Sequence, residues 1–365
     1  MAAFYRSIIP ALALGVAACG GGGNPTAPPT ATNTPAPSGE TFTVTVIVYD
    51  DENGNGRHDS NESVWLPDVQ VDIAGRTGTS EKRTGRVIVT GVPRGTYPIT
   101  IRPATLSPFY QPGPTVTVDA PQPNEVSPPM VSAFMPVGAN NRGQYLFSGD
   151  SISQGSGSSD NRGFRPSLRN QLDEYYGRAS EAYRGGGGTT GRTADAVLRV
   201  RDDVASILPA VTALNWGVND YYEDGCGVPT AANCRMGANL RQLIRTVRAA
   251  NSMPCIATLT PSNTGFNQQA PPERNDWVKA ANEMIRTIAR DERALLIDVG
   301  AEFFRQPSIG ALMSDHVHPN DAGYAIMADV YFKALTRGTV SGSSVGPVFP
   351  AFFSNRFGTT APLRR

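Results

Sequence analysis

The chain has 365 residues, and 32 Lys and Arg balance 32 Asp and Glu. That length exceeds one ordinary core and is enough for two domains with linkers. A balanced charge without a basic cluster gives no footprint for a polyanion, so no nucleic-acid partner is expected.

Residues 1–18 read as a signal peptide rather than as fold. Arg6 supplies a positive end, and Ser7 to Ala18 form a mostly apolar run too short to span a bilayer as a mature helix. The run ends in Val16-Ala17-Ala18-Cys19. Small residues just before a cysteine resemble the lipobox of bacterial lipoproteins. The resemblance implies cleavage before Cys19 and lipidation of its thiol. An ordinary signal peptide with an incidental cysteine is the alternative. Residues 19–40 are rich in Gly, Pro and Thr, cannot bury a core, and read as a disordered tether. The expected address is the bacterial cell envelope, extracytoplasmic, with the membrane engaged through lipidated Cys19. Whether that is periplasmic or at the cell surface stays open.

From Thr41 to Tyr49 the pattern has period two. Similar pieces follow at Val69 to Ile73, Arg86 to Val92, Tyr97 to Ile101 and Thr115 to Val118, parted by turn signals such as Pro93-Arg94-Gly95. Short strands at this spacing predict a small all-β sandwich over 41–137. One loop, Asp51 to Glu62, fits the twelve-residue calcium-loop pattern. Asp51, Asn53 and Asn55 offer side-chain oxygens, and Gly56 permits the sharp turn. Arg57 offers its carbonyl, Asp59 a direct or water-mediated oxygen, and Glu62 both carboxylate oxygens. A structural Ca2+ on a β-domain is the expectation, and an acidic Asn-Gly hairpin turn is the alternative. With Gly91-Val92-Pro93-Arg94-Gly95-Thr96-Tyr97, this stretch resembles the calcium-binding B-type repeats of bacterial surface adhesins, which are immunoglobulin-like or prealbumin-like. The resemblance implies a spacer. A carbohydrate-binding module is the competing role, but Trp65, Phe109 and Tyr110 are scattered. Residues 138–143 read as a hinge.

From Gln144 short apolar runs alternate with helical periods. Strands are predicted at Tyr145–Ser148, Val211–Asn215, Ile256–Thr260 and Leu295–Val299, with a weaker one near Glu181–Tyr183. Helices are predicted over about 164–176, 193–207, 236–250, 274–290 and 320–336. This alternation gives an α/β domain, a parallel sheet with helices on both faces, over 144–338. Cys226 and Cys234 share a Gly/Pro/Asn-rich loop and are expected to pair, worth about 2.5 kcal/mol from closing the loop. Cys255 opens an apolar run and reads as a buried thiol. Residues 339–365 read as an irregular tail.

Four signals carry chemistry, and each falls at a strand end or in the loop after it. They are Gly149-Asp150-Ser151, the glycine-rich turn Gly188 to Thr193, Gly217-Val218-Asn219-Asp220, and Asp315-His316-Val317-His318-Pro319. A serine at a sheet edge needs a base, an orienting acid and oxyanion donors before it cleaves anything. An Asp and a His three residues apart in a tight turn deliver base and orienter from one loop. His58 belongs to the calcium loop, so of the three histidines the base is His316 or His318.

In this order and context the four signals resemble the SGNH hydrolase superfamily, also called GDSL-type esterases, over about residues 144–336. The resemblance implies a flavodoxin-like three-layer α/β/α domain. It implies Ser151 as nucleophile, with its own N–H as one oxyanion donor. Gly191 supplies a second N–H, with Gly188 the alternative because glycines 185–188 blur the register. Asn219 supplies the third donor from its side-chain amide. His318 is the general base and then acid, and Asp315 holds its other ring nitrogen. Asp150 is expected to hold the turn. Trp216, Tyr221 and Tyr222 are either cleft wall or core.

The implied function is a serine esterase acting on carboxylic esters without a catalytic cofactor. Its substrates are expected to carry short acyl or O-acetyl groups, an acylated polysaccharide among them. A lysophospholipase or thioesterase is the alternative. A non-catalytic protein binding acylated glycans is the rival from another class.

Overall fold

The computed structural model describes residues 39–107, 109–132, 140–187 and 190–338. Cys19, the tether up to residue 38, the loop 133–139 and the tail 339–365 lie outside the described residues. Among the described residues no helix is long and apolar enough to cross a membrane.

The N-terminal part is all β. Its strands are β1 (Thr41–Ile47), β2 (Tyr49–Asp50), β3 (Gln70–Ile73), β4 (Arg76–Thr79), β5 (Arg86–Pro93), β6 (Gly95–Pro98), β7 (Thr100–Ile101), β8 (Tyr110–Pro112), β9 (Thr117–Ala120) and β10 (Pro129–Ser132). β1 pairs with β5, β3 with β4 and β7, and β6 with β9, all antiparallel. β10 runs antiparallel to β8 and parallel to β2. Alternate residues Val44, Val46, Val71, Ile73, Val87 and Val89 point inward and make the core. The hairpin β3–β4 was not legible in the sequence. Its two-residue turn is Ala74-Gly75, both at positive φ (50° and 73°), and an alanine in that place gives no turn signal.

The second part holds β11 (Asn141–Gly149), β12 (Ser180–Gly185), β13 (Pro209–Asn215), β14 (Met253–Ala257) and β15 (Leu295–Ile297). All are parallel, in the order β12-β11-β13-β14-β15. The helices are α1 (Ser151–Gln154), α2 (Arg165–Tyr176), α3 (Thr193–Ile207), α4 (Met236–Ala249), α5 (Arg274–Asp291), α6 (Val299–Arg305) and α7 (Asp321–Arg337). α3 packs on α4 and α4 on α5, while α2 and α6 pack on α7. The helices fix their inward faces by spacing: α3 buries Ala196, Val200 and Val204, one residue per turn. The domain is thus a three-layer α/β/α fold with a small β part before it.

Several boundaries differ from the sequence reading. Asn141–Gly143, read as hinge, already belong to β11. β14 lies three residues earlier than expected. β15 stops at Ile297 because the Asp298 carboxylate accepts the Ala301 N–H at 3.3 Å and starts α6, which takes in Val299. A capping aspartate inside an apolar run is easily read as part of a strand.

The two parts share an interface. The Trp65 N–H donates to the Tyr176 carbonyl at 2.9 Å, and the Tyr175 hydroxyl to Asp68 at 3.2 Å. Arg178 reaches Glu52 at 3.6 Å and Ser63 at 3.5 Å. Gly177, at φ +81°, lets Trp65 pack close, since a Cβ there would sit 2.5 Å from Trp65 Cδ1. All described residues fall in one compact unit.

Candidate active site

The order β12-β11-β13 puts a reversal of winding between β11 and β13, and open α/β sheets place ligands outside the carboxyl ends of strands at such a point. β11 ends at Gly149. A Cβ there would sit 2.0 Å from Ser153 Oγ and 2.7 Å from the Asn215 carbonyl, so the chain needs a glycine to turn. Asp150 caps α1, its carboxylate accepting the Ile152 N–H at 3.0 Å. Ser151 is the first residue of α1, and Gly155 ends that helix at φ +107°. Asp150 is buried, and burial pushes its carboxyl up to about 7, with Asp220 nearby adding to the shift and the backbone N–H of Ile152 opposing it.

The loop before α7 brings Asp315 and His318 to the serine. Asp315 Oδ1 accepts the N–H groups of Val317 and His318, both at 2.7 Å. Asp315 Oδ2 lies 2.7 Å from His318 Nδ1, and His318 Nε2 lies 2.9 Å from Ser151 Oγ. With Nδ1 protonated toward Asp315, Nε2 is free to accept the serine proton. Desolvation works against ionising Asp315, but the His318 and Val317 N–H groups and the His318 ring outweigh it and hold the carboxyl below its usual range. His316 sits differently: its Nδ1 is 4.0 Å from Asp315 Oδ1, and its carbonyl accepts the Asn263 N–H at 3.0 Å.

The loops after β12 and β13 meet. Asn219 lies on a 3-10 turn, Val218–Tyr222, that follows Gly217 at φ +129°. Its amide Nδ2 donates to the Gly191 carbonyl at 3.1 Å, which leaves its second hydrogen for another acceptor. A Cβ on Gly191 would sit 2.7 Å from that nitrogen. Asp220 locks the junction by accepting from the Thr193 N–H at 3.0 Å and from the Thr193 hydroxyl. Burial pushes the Asp220 carboxyl up to about 6 against those two bonds. A Cβ on Gly187 would lie 3.6 Å from Ser151 Cβ, so the glycine loop passes beside the serine. Gly188 lies outside the described residues.

Several supporting side chains gave no motif in the sequence. The Tyr324 hydroxyl on α7 reaches the carbonyls of Ile152 (3.1 Å) and Ser156 (2.7 Å), tying α7 to the serine's helix and the turn after it. Trp216, which the sequence left as cleft wall or core, is buried, with its indole N–H on Ser148 Oγ at 3.0 Å. Arg274 is buried and donates to the Val218 carbonyl at 2.7 Å. Cys226 and Cys234 form the disulfide expected from their shared loop, and Cys255 is the buried free thiol expected from its apolar run.

In the β part, the loop Asp51–Glu62 is tightly wound. Asp51 accepts the N–H groups of Gly54, Asn55 and Gly56, and Glu62 accepts those of Glu52 and Asp59. Gly56 has φ +76°, the sharp turn the pattern requires. The amide nitrogens of Asn53 and Asn55 both donate to Asp59 Oδ2, at 2.7 and 2.8 Å. The carboxylates of Asp51 and Glu62 are thus taken up by backbone N–H groups of the loop, and Arg57 stands at the position that would give its carbonyl. Among the described residues no group of three or more His, Cys, Asp or Glu is arranged to hold a metal ion, and two of this loop's donors are asparagines.

A serine, a histidine and an aspartate joined in series, with an asparagine amide and a glycine beside them at the carboxyl edge of a parallel sheet, define the class of serine-dependent acyl hydrolases. Residues 147–326 match the model of the GDSL-like Lipase/Acylhydrolase family. The α/β domain belongs to that family, and the protein is an ester-hydrolysing enzyme. Three solved structures are similar over 53% of this chain. An acetyl xylan esterase is covered over 99% of its length at 23% identity and a TM-score of 0.44. An acetylxylan esterase from Geobacillus stearothermophilus is covered over 94% at 20% identity and 0.42. A GDSL-like lipase from Bacteroides thetaiotaomicron is covered over 87% at 19% identity and 0.40. No curated protein sequence matches the chain.

Proposed function

We propose that the enzyme removes short acyl groups from a polar, carbohydrate alcohol by two-step transfer through Ser151. The observation that carries this reading is the unbroken relay of Ser151 Oγ, His318 and Asp315 at 2.9 and 2.7 Å. Ser151 attacks the ester carbonyl as His318 Nε2 takes its proton. The tetrahedral oxyanion lies among the N–H groups of Ser151 and Gly191 and the free amide hydrogen of Asn219. The imidazolium then protonates the departing alkoxide, and Asp315 stabilises its charge. Water, activated by His318, releases the acid and restores the serine. The loops around the site are rich in Gly and Thr from 186 to 192 and in Pro, Asn and Gln from 261 to 273, and carry no apolar insertion to cover a long chain. That supports a short acyl group and a polar alcohol.

The test is turnover of p-nitrophenyl acetate, butyrate and octanoate by the protein and by Ser151→Ala. Serine-dependent rates falling from acetate to octanoate support the reading. A preference for octanoate moves the substrate to lipids. Absence of serine dependence removes Ser151 as nucleophile.

Two further parts of the reading concern the rest of the chain. The loop Asp51–Glu62 would hold a structural calcium ion through Asp51, Asn53, Asn55, Arg57, Asp59 and Glu62. Its all-oxygen donor set and turn at Gly56 fit that ion, provided both asparagine amides rotate to present oxygen instead of nitrogen toward the centre. The lipobox-like stretch ending at Cys19 would anchor the enzyme outside the cytoplasm. Incorporation of labelled palmitate by the full chain but not by Cys19→Ala checks the anchor.

A further inference from the structure

The turn that carries Asn219 also carries an aromatic ring that the acyl-transfer chemistry does not use. Tyr222 is 55% exposed. It lies three residues after Asn219 on the same 3-10 turn. Among the described residues five large hydrophobic side chains are exposed, and two of them, Tyr222 and Val228 (58%), fall in this one stretch. An aromatic ring next to a buried one ordinarily packs inward on it, as Tyr221 does on Trp277 at 5.3 Å. Tyr222 stays at the surface.

The exposed ring is nevertheless fixed. Arg274 is 1% exposed, and its guanidinium carbon lies 3.8 Å from the Tyr221 ring centroid, 5.0 Å from Tyr222 and 5.3 Å from Trp277. Its Nη2 donates to the Val218 carbonyl, and its Nη1 is buried without a hydrogen-bond partner among the described residues, so the rings compensate the rest of the cation. Tyr221 meets Tyr222 edge-on, at 5.1 Å and 87°. The Tyr222 carbonyl accepts from Arg192, the residue after Gly191, at 3.2 Å. Beyond it the loop is closed by the Cys226–Cys234 disulfide, and the Trp277 indole N–H holds the Cys226 carbonyl at 2.7 Å. The Tyr222 ring thus has a buried guanidinium over it at 5.0 Å while more than half of the residue stays exposed.

We propose that Tyr222 is a stacking platform for the sugar ring that bears the ester, and that it makes the rim beside Asn219 a carbohydrate subsite. The proposal rests on the carbohydrate-esterase reading above. A pyranose turns a patch of C–H groups to one side, and the face of an aromatic ring is the negative pole of its quadrupole, so the two attract. A ring already held in place loses little freedom on binding. An acyl chain would require a concave apolar slot instead, and a single flat face at a rim provides none.

The experiment measures KM and kcat on p-nitrophenyl acetate and on acetylated xylan for the native protein, Tyr222→Ala and Tyr222→Phe, with Ser151→Ala as blank. Tyr222→Ala should raise KM on acetylated xylan about tenfold more than on p-nitrophenyl acetate, and Tyr222→Phe should behave as native. Gels containing acetylated xylan should retard Ser151→Ala and lose that retardation with Tyr222→Ala added. Equal effects on both substrates would assign Tyr222 to the stability of the turn and overturn the platform. A Tyr222→Phe protein as impaired as Tyr222→Ala overturns stacking in favour of the hydroxyl. If Tyr222→Ala cleaves the polymer as well as native protein does, the platform falls and the esterase reading stands. If native protein cleaves p-nitrophenyl acetate but never the polymer, the carbohydrate reading falls and takes the platform with it.

Discussion

Arg274 donates to the Val218 carbonyl at 2.7 Å, one residue before Asn219, from a position almost sealed from water. A helix on the sheet's flank thereby holds the backbone of the proposed oxyanion turn. Arg274→Lys keeps the charge but loses the planar group that stacks and donates together. It is expected to destabilise the protein by about 2–3 kcal/mol, the scale of a charge-assisted bond and a desolvated cation–π contact. In protein that stays folded, kcat should fall with KM little changed. Urea unfolding alongside steady-state kinetics checks both, and an unchanged kcat in the folded variant would detach Asn219 from Arg274.

Asn219→Ala removes one proposed oxyanion donor. Such donors are typically worth about 2.7–4 kcal/mol of transition-state stabilisation, so kcat should drop on the order of a hundredfold or more. Asp315→Asn tests the other end of the relay. It keeps the shape of the loop but favours the wrong histidine tautomer, and kcat is expected to fall on the order of 10⁴-fold. Intact unfolding curves for both variants would locate the loss in chemistry.

Asp150 predicts a pH dependence of stability. Burial raises its carboxyl to about 7 in the fold, well above the ordinary aspartate range. Between about pH 4 and pH 7 the folded state therefore keeps a proton that the unfolded chain has released, and stability declines as pH rises through that window. Asp220, raised to about 6 by burial, acts in the same direction. Asp150→Asn preserves an oxygen for the Ile152 N–H and removes the buried charge. Its Tm should exceed the native value at pH 8, with the difference shrinking toward pH 4. A difference independent of pH would contradict a raised carboxyl.

Chelation separates stability from catalysis. If calcium occupies the loop at a hundred times its Kd, removing it costs about 2.7 kcal/mol. EDTA should lower Tm, and added calcium should restore it, while kcat on p-nitrophenyl acetate at 25 °C holds. Asp51→Ala should abolish the calcium response. A Tm indifferent to EDTA would remove the ion from the loop.

The local sequence determined a good deal. The three-residue spacing of Asp315 and His318 makes a turn that bonds to itself, and the structure closes that turn at 2.7 Å. The spacing of Ala196, Val200 and Val204 sets α3, and Asn320 caps α7 through the Gly323 N–H at 3.1 Å. These features need only residues within a few positions of one another, so composition and period expose them. β12 was faint for the opposite reason. It lies at the sheet's edge, and its residues Ser180–Gly185 are half-buried or exposed, which leaves little alternation to read.

What the tertiary structure decided depends on partners distant in the chain. Trp216, Tyr221 and Tyr222 flank Asn219 alike in the sequence, yet Trp216 is buried with its indole N–H on Ser148 Oγ, while Tyr222 stands exposed beside the guanidinium of Arg274 from α5. Of His316 and His318, it is His318 whose Nε2 lies 2.9 Å from Ser151 Oγ, 167 residues before it in the chain. Trp65 against Gly177 joins the β part to the α/β domain through close packing that neither segment signals by itself. Periodicity records which face of an element is apolar. Which apolar or charged group meets that face is fixed only when the whole chain has closed on itself.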